Sequence, residues 1–295
     1  MLQRSESDRR RNKRIIQWIR NVFIILFLLI CMVGFLNWLT EGKGIWKPDY
    51  SKVDLGSIVN KEELSKDDYH TIFLQTGLGR AAADELMRKS ADGDREEAFE
   101  KYQRNFFLER DYDCRIAAVI VHDERMRDED GKLVKGFEIS DLRNGDILIT
   151  KSTHSLGWRH GHAAIVTDAV RGETLEAILL GNPSVLQSVS KWRTYPSFIQ
   201  LRLKDQENAD VEEIVKYAKK SILGIPYGLL TGVPYKAPDE IKKTQCAHLV
   251  WYPYERFGYD LDSDGTWLVT PKDIANSDLL EIVQVYGVNP EEIWP

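Results

Sequence analysis

The hydrophobic period of the chain changes several times, and each change marks a boundary. Residues 22–39, VFIILFLLICMVGFLNWL, are eighteen positions without a charge. As a helix this run spans roughly 27 Å, about the hydrocarbon thickness of a bilayer. Residues 40–60, with Gly42, Gly44 and Pro48 among scattered polar positions, read as a linker. Residues 61–108 are rich in Ala, Glu, Lys and Leu and predict two or three helices. Ser65 followed by Asp67 and Asp68 predicts a helix start, and Gly77 with Gly79 a break. Asp92-Gly93 then separates a last helix over residues 94–108, whose Ala98, Tyr102 and Phe106 keep helical spacing only loosely.

From Ile116 the period shortens. IAAVIVHDE (116–124) predicts a strand, and Asp130-Gly131 a hairpin turn before KLVKGFEIS. DILITKS, HAAIVTDAV, TLEAILL and FIQLRLK follow as four strand-like runs split by Gly, Asn, Pro and Ser clusters, the pattern of a small, mostly antiparallel sheet. Val211, Ile214, Val215, Ala218 and Ile222 recur at helical spacing up to Gly224. After an IPYG turn, a second helix should start at Thr244, its N-cap, and run to Gly258, with Pro253 as a kink. The reading is an α+β chain divided as head 1–21, apolar helix 22–39, linker 40–60, helical segment 61–115 and an α+β domain over 116–295.

Charge changes the picture at the N-terminus. The net charge is -6, yet Arg4, Arg9, Arg10, Arg11, Lys13, Arg14 and Arg20 crowd the head against only Glu6 and Asp8. The remainder is therefore acidic, which excludes a nucleic-acid-binding surface there. A basic flank ahead of a long apolar run predicts an uncleaved anchor at the cell membrane, head in the cytoplasm and everything after Leu39 extracytoplasmic. Trp18 and Trp38 sit near the ends of the run, where interfacial rings belong. A cleaved signal peptide would have a shorter apolar region and a small-x-small site, neither present. Ile30 before Cys31 argues against a lipoprotein signal. A composition of 43% hydrophobic and 29% charged residues excludes wholesale disorder.

Cysteines fall at 31, 114 and 246. A Cys114–Cys246 disulfide is left open by sequence, and it would abolish any thiol chemistry at Cys246. Cys246 stands in the first turn of its predicted helix, where unpaired amides and the helix dipole favour a thiolate. His162 opens a strand directly after Gly161, and Glu176 lies on the next strand-like run, where antiparallel pairing can set it beside His162. On residue types alone these are equally a buried cysteine, a structural histidine and the solvent-side residue of an alternating strand. His154, Trp158, Tyr227 and Tyr235 are further candidates for a cleft, without assigned roles.

The order of several motifs is more specific than any one of them. GDIL (145–148), GHAAIV (161–166), LEA (175–177), QLRL (200–203), GIPYG (224–228), a Cys opening a helix in TQCAHLV (244–250) and LVTPKDIANS (268–277) together resemble the circularly permuted papain-like, NlpC-type cysteine amidases. Within them the YiiX/YaeF-like group is the nearest in wording. The resemblance covers roughly residues 142–277, about half of the chain, and has the His strand before the Cys helix. It implies a permuted papain-like domain with an antiparallel sheet packed on the Cys helix, and catalytic Cys246, His162 and Glu176 without cofactor or metal. It further implies amide hydrolysis, with cell-wall peptide as the substrate class. Lipid-acting relatives of the same fold make an acyl ester at the membrane the alternative. Ala247 and His248 depart from the small hydroxyl residue and acid that commonly follow the family's cysteine, which leaves substrate details open.

Other readings compete. His160 and His162, two apart on a strand, with Cys246 and His248 offer zinc-type ligands, but at no familiar spacing. DLDSDG (260–265) copies the first half of a calcium-binding loop, though its twelfth position is Pro271 instead of Glu. A non-catalytic binding module is the third alternative.

Overall fold

In a computed structural model of the chain, residues 2–90, 93–118, 120–205, 209–231 and 238–295 are described. Asp92 of the expected Asp92-Gly93 break, Val119 of the expected 116–124 strand, and Tyr235 lie outside them.

Helix α1 (Leu2–Thr40) joins the basic head and the apolar run without interruption. Its stretch Arg11–Thr40 is long and apolar enough to cross a membrane, and only 6% of its apolar window is buried against the rest of the protein. The segment read as a linker is pinned along the body. The Trp46 amide donates to Gly287 O (2.9 Å), the Tyr50 hydroxyl to Leu74 O (2.6 Å) and the Val53 amide to Gln75 Oε1 (3.0 Å).

Four helices follow: α2 (Gly56–Val59), α3 (Lys66–Thr76), α4 (Arg80–Lys89) and α5 (Arg95–Phe107). Ser65 and Asp68 form a capping box that starts α3, as the Ser-Asp pattern predicts. Leu55, Ile72, Leu78, Ala83 and Phe99 form a small core that closes on Val283 of a strand far along the chain. Gly77 and Gly79 do more than break helices. A Cβ at Gly77 would lie 2.1 Å from Val285 O, and one at Gly79 1.9 Å from Ile282 O. Only glycine lets this link run against the edge strand, where Gly79 N–H donates to Val283 O and Val285 N–H to Gly77 O.

The strands are β1 (Tyr112–Ala118), β2 (Val121–Met126), β3 (Ile147–Thr150), β4 (Thr153–Ser155), β5 (His162–Asp168), β6 (Glu173–Glu176), β7 (Val185–Ser188), β8 (Phe198–Leu203) and β9 (Leu280–Tyr286). They form a three-stranded sheet, β1-β2-β4, and a six-stranded antiparallel sheet, β7-β6-β5-β3-β8-β9. Helices α6 (Val211–Ile222), α7 (Cys246–Arg256) and α8 (Pro271–Ala275) complete the fold. Chain α1–β9 is thus a mixture of helices and antiparallel sheet behind an N-terminal apolar helix.

The central strands carry unbroken apolar runs because both of their faces are covered. Ile147, Ile149, Ala163 and Ile165 pack with Ile214, Ala218, Leu249 and Val250 of α6 and α7. Leu148, Ala164 and Val166 pack with Phe137, Trp192 and Phe198 on the other side. At the start of β3, Asp146 is fully buried and takes Arg202 in a two-pronged pair, Nε to Oδ1 and Nη2 to Oδ2, both 2.8 Å. That pair fixes β3 on β8 and accounts structurally for the aspartate of GDIL.

Three expectations need correction. The run 116–124 is not one strand: β1 covers Tyr112–Ala118 and β2 starts at Val121, and the two pair antiparallel with Ala118 opposite Val121. KLVKGFEIS forms no strand, only a single bridge between Arg127 and Leu133 after the turn at Asp128–Gly131. β4, β7 and β9 are additional; each is an edge strand, β4 only three residues long and β7 and β9 with polar residues that hide the two-residue period.

Candidate functional site

Cys246, His162 and Glu176 come from three elements and meet. Cys246 is the first residue of α7, whose N-cap is Gln245 in place of the expected Thr244. The Gln245 side chain accepts the Ala247 amide (2.8 Å) and donates to Val269 O (2.8 Å), which holds the helix start in place. The Thr244 hydroxyl instead contacts Gln245 O and His248 Nδ1.

His162 opens β5 opposite Thr150 of β3, after Gly161 with φ of 71°. In the β5–β6 register Ile165 faces Leu175. Glu176 is therefore one diagonal step from His162, close enough for the carboxylate to reach the ring. His162 Nε2 lies 2.8 Å from Glu176 Oε2, and the Cys246 thiol is near enough to the same imidazole to raise its pKa. Cys246 is 7% exposed, His162 6% and Glu176 0%.

A carboxylate with no exposure needs all the donors it can find. Oε1 of Glu176 accepts the Thr174 hydroxyl (2.6 Å) and the Trp192 indole N–H (3.1 Å), while Oε2 also takes the Lys191 ammonium at 2.6 Å. Lys191 and Trp192 belong to a 3-10 turn at Val189–Thr194. Burial pushes Glu176 up, but His162 and then Lys191 outweigh it and hold the carboxyl at about 2. Burial likewise pulls His162 down, and the Cys246 thiol followed by Glu176 more than offset this and hold the imidazole at about 9. The arrangement favours an imidazolium held by the Glu176 carboxylate. Burial, and then the neighbouring Cys246, raise the Tyr227 hydroxyl far above its usual range.

Sequence reasoning missed Thr174, Lys191 and Trp192. Thr174 is two residues from Glu176 and shares its strand face, a signal the two-residue period carries; SKWRT has no recognisable pattern. His154 is not a cleft residue: it is fully buried against the end of α1, with Nδ1 3.2 Å from the Thr40 hydroxyl and Nε2 3.4 Å from Cys114 Sγ. Trp158 and His160 line, with Asp264 and Thr270, a depression of about 480 Å³ two residues from His162.

All three cysteines are free, so no Cys114–Cys246 bridge removes the thiol. His160 is held by Ser155 (3.0 Å) and Gly161 O (2.8 Å), and His248 packs against Trp251 and Tyr252. Among the described residues, the histidines and Cys246 do not converge on one point. Asp262, Asp264 and Asp273 do bring ligand atoms within 4.8 Å of one another. Asp273, two places beyond Pro271, is however engaged in the capping box of α8, with Thr270 donating through both amide and hydroxyl.

No family model matches the chain, and no curated protein does. Among solved structures, the crystal structure of metalloprotein yiiX from Escherichia coli O157:H7 (DUF1105) is similar, at 15% identity and a TM-score of 0.37, over 48% of this chain and 97% of that one. A likeness at that level is one of outline and assigns no chemistry to this chain.

Proposed function

We propose that the chain is a membrane-anchored cysteine hydrolase of circularly permuted papain-like architecture. Its nucleophile is Cys246, its general base and acid His162, and its orienting carboxylate Glu176. The observation that carries the reading is the buried Cys246–His162–Glu176 relay, with the sulfur on the first residue of a helix. An imidazolium next to a thiol at a helix N-terminus is the setting in which a thiolate persists at neutral pH.

In this mechanism the thiolate adds to an amide or ester carbonyl and forms the C–S bond. The oxyanion is held by the Cys246 backbone amide, because the Gln245 side chain and the Ala247 amide are already spent on each other in capping. Collapse breaks the C–N or C–O bond while His162 passes its proton to the leaving group. Water then attacks the thioester, His162 takes its proton, the C–S bond breaks, and the acid product leaves with the ion pair restored. Glu176 is not protonated in the cycle; it keeps the ring turned toward the sulfur.

For an anchored enzyme with its head in the cytoplasm, the substrate is an amide of the extracytoplasmic face, with cell-wall peptide as the first class to try. A lipid-linked acyl group is the second reading, favoured by the last turn of α1 lying against the sheet next to the site, where Arg159 donates to Thr40 O. Cys246→Ala and His162→Ala should each abolish hydrolysis with folding retained. Glu176→Gln should lose less, because the ring stays in place without its charge partner. Full activity of Cys246→Ala on the true substrate would end the cysteine mechanism.

A further inference from the structure

Outside α1, four of the exposed apolar side chains gather at one end of the small sheet. Val121 pairs with Ser155, so the β1–β2 turn and the turn after β4 lie side by side. The first displays Ile116 and Ile120, 71% and 41% exposed; the second displays Leu156 and Trp158, 44% and 54% exposed. Leu156 is held at φ 51°, the one positive φ among non-glycine described residues. Backbone strain that presents a leucine to solvent calls for something outside the chain to cover it.

The same end meets the apolar helix. A Cβ on Gly157 would sit 3.4 Å from Leu36 Cβ, and His154 contacts both Asn37 and Thr40. Leu36 lies within the stretch of α1 apolar enough to cross a membrane, so the two turns stand level with its outer end. Beside Ile116 opens a groove of about 500 Å³ walled by Arg115, Arg125, Arg127, Lys135 and Lys191 against Asp123. Asp113, which pairs with Arg115 and Arg127, and Glu176, which holds Lys191, add two further carboxylates and leave the cations in excess.

We propose that these two turns are a membrane-seating surface: Ile116, Ile120, Leu156 and Trp158 lie in the interfacial layer of the bilayer that α1 crosses, with the adjoining basic groove on its anionic headgroups. Indole and aliphatic side chains favour that layer, and juxtamembrane cations are drawn to acidic lipid. The inference rests on α1 being a membrane anchor.

The test uses the full chain in nanodiscs containing phosphatidylglycerol, with a nitroxide on one cysteine at a time and collision rates with oxygen and a nickel chelate as the depth readout. The native Cys31, in a Cys114→Ser, Cys246→Ser background, reports the anchor itself. Ile120→Cys and Leu156→Cys report the turns, with Trp158→Cys as a second probe of the strained turn. Val170→Cys, fully exposed after the far end of β5, is the aqueous reference. The expected oxygen-to-nickel ratio is highest at 31, several-fold above the 170 value at 120 and 156, and lower at 120 when phosphatidylcholine replaces the acidic lipid. Ratios at 120 and 156 equal to that at 170, with 31 deep, overturn the surface and leave the anchor standing. A water-accessible 31 overturns the anchor instead, and the surface with it. A ratio at 120 indifferent to lipid charge overturns the headgroup contact.

Discussion

Trp192 lies flat on His162, ring centroids 5.5 Å apart and planes 12° from parallel, and donates its indole N–H to the carboxylate that holds the same imidazole. One side chain thus restrains both the face of the base and the position of its partner. Trp192→Phe keeps an aromatic ring and removes the donor. A hydrogen bond to a charged group contributes about 1.5–3 kcal/mol, and three other donors remain on Glu176, so about 1 kcal/mol is the expected loss. The rate of Cys246 alkylation by iodoacetamide at pH 6 should fall roughly fivefold. An unchanged rate would show that the ring alone orients the base.

The relay also sets a stability window. Glu176 is held at about 2, below its ordinary 4.5, so its contribution is complete above pH 4.5 and is lost as pH falls toward 2. His162 is held at about 9, above its ordinary 6.5, so its contribution is complete below pH 6.5 and is lost as pH rises through 9. Calorimetry should therefore place this pair's optimum between the two ordinary values, with Tm declining from pH 6.5 to 9. In His162→Gln that alkaline decline should flatten. An identical decline in the variant would assign it to other groups.

Cys114 offers an internal control for thiol activation. Burial, then Glu41 and Glu124, push its thiol up to about 12. At pH 7 iodoacetamide should modify Cys246 many-fold faster than Cys114, and His162→Ala should bring the two rates together. Mass spectrometry of the alkylated peptides reads both at once.

Gly77→Ala tests the seam between the helical segment and β9. The left-handed backbone at φ 72° costs a side chain about 1–2 kcal/mol, and the new Cβ would also meet Val285 O. Tm should fall by about 4 °C or more. Gly181→Ala, at φ 93° with nothing within 4 Å of a Cβ, incurs the backbone cost alone and should fall less.

Much of this was legible in the sequence, and the reasons for success and failure are physical. β3 and β5 declare themselves because burial on two faces demands unbroken apolar runs, and β8 through the apolar residues that alternate with Gln200 and Arg202. Cys246, His162 and Glu176 were found through the order of motifs and meet in space, whereas His154 was misplaced because a histidine beside a turn gives no hint of which neighbour buries it. β9 escaped because the polar residues of LEIVQVY, Glu281 and Gln284, are three apart and break the two-residue period, and Gln284 serves a partner far away, accepting from the Ser140 amide. The 116–124 run misled because Ile116 and Ile120 are exposed near a hairpin turn, so their hydrophobicity reflects no internal packing. Lys191 and Trp192 were invisible because their partner, Glu176, is fifteen or more residues away.

The last turn of α1 is clamped rather than tethered: Arg159 bridges Thr40 O and the buried Glu124, and Glu124 also accepts the Gly42 amide. A catalyst on a slack stalk sweeps a volume that grows with stalk length. Under the proposed hydrolase function, and where α1 crosses a bilayer, this clamp removes that freedom, and the relay rides at one altitude above the lipid. Its encounters then become a search in two dimensions, governed by how fast the protein and a co-resident substrate drift through the membrane plane. A soluble substrate, however abundant, would have to be delivered to that altitude.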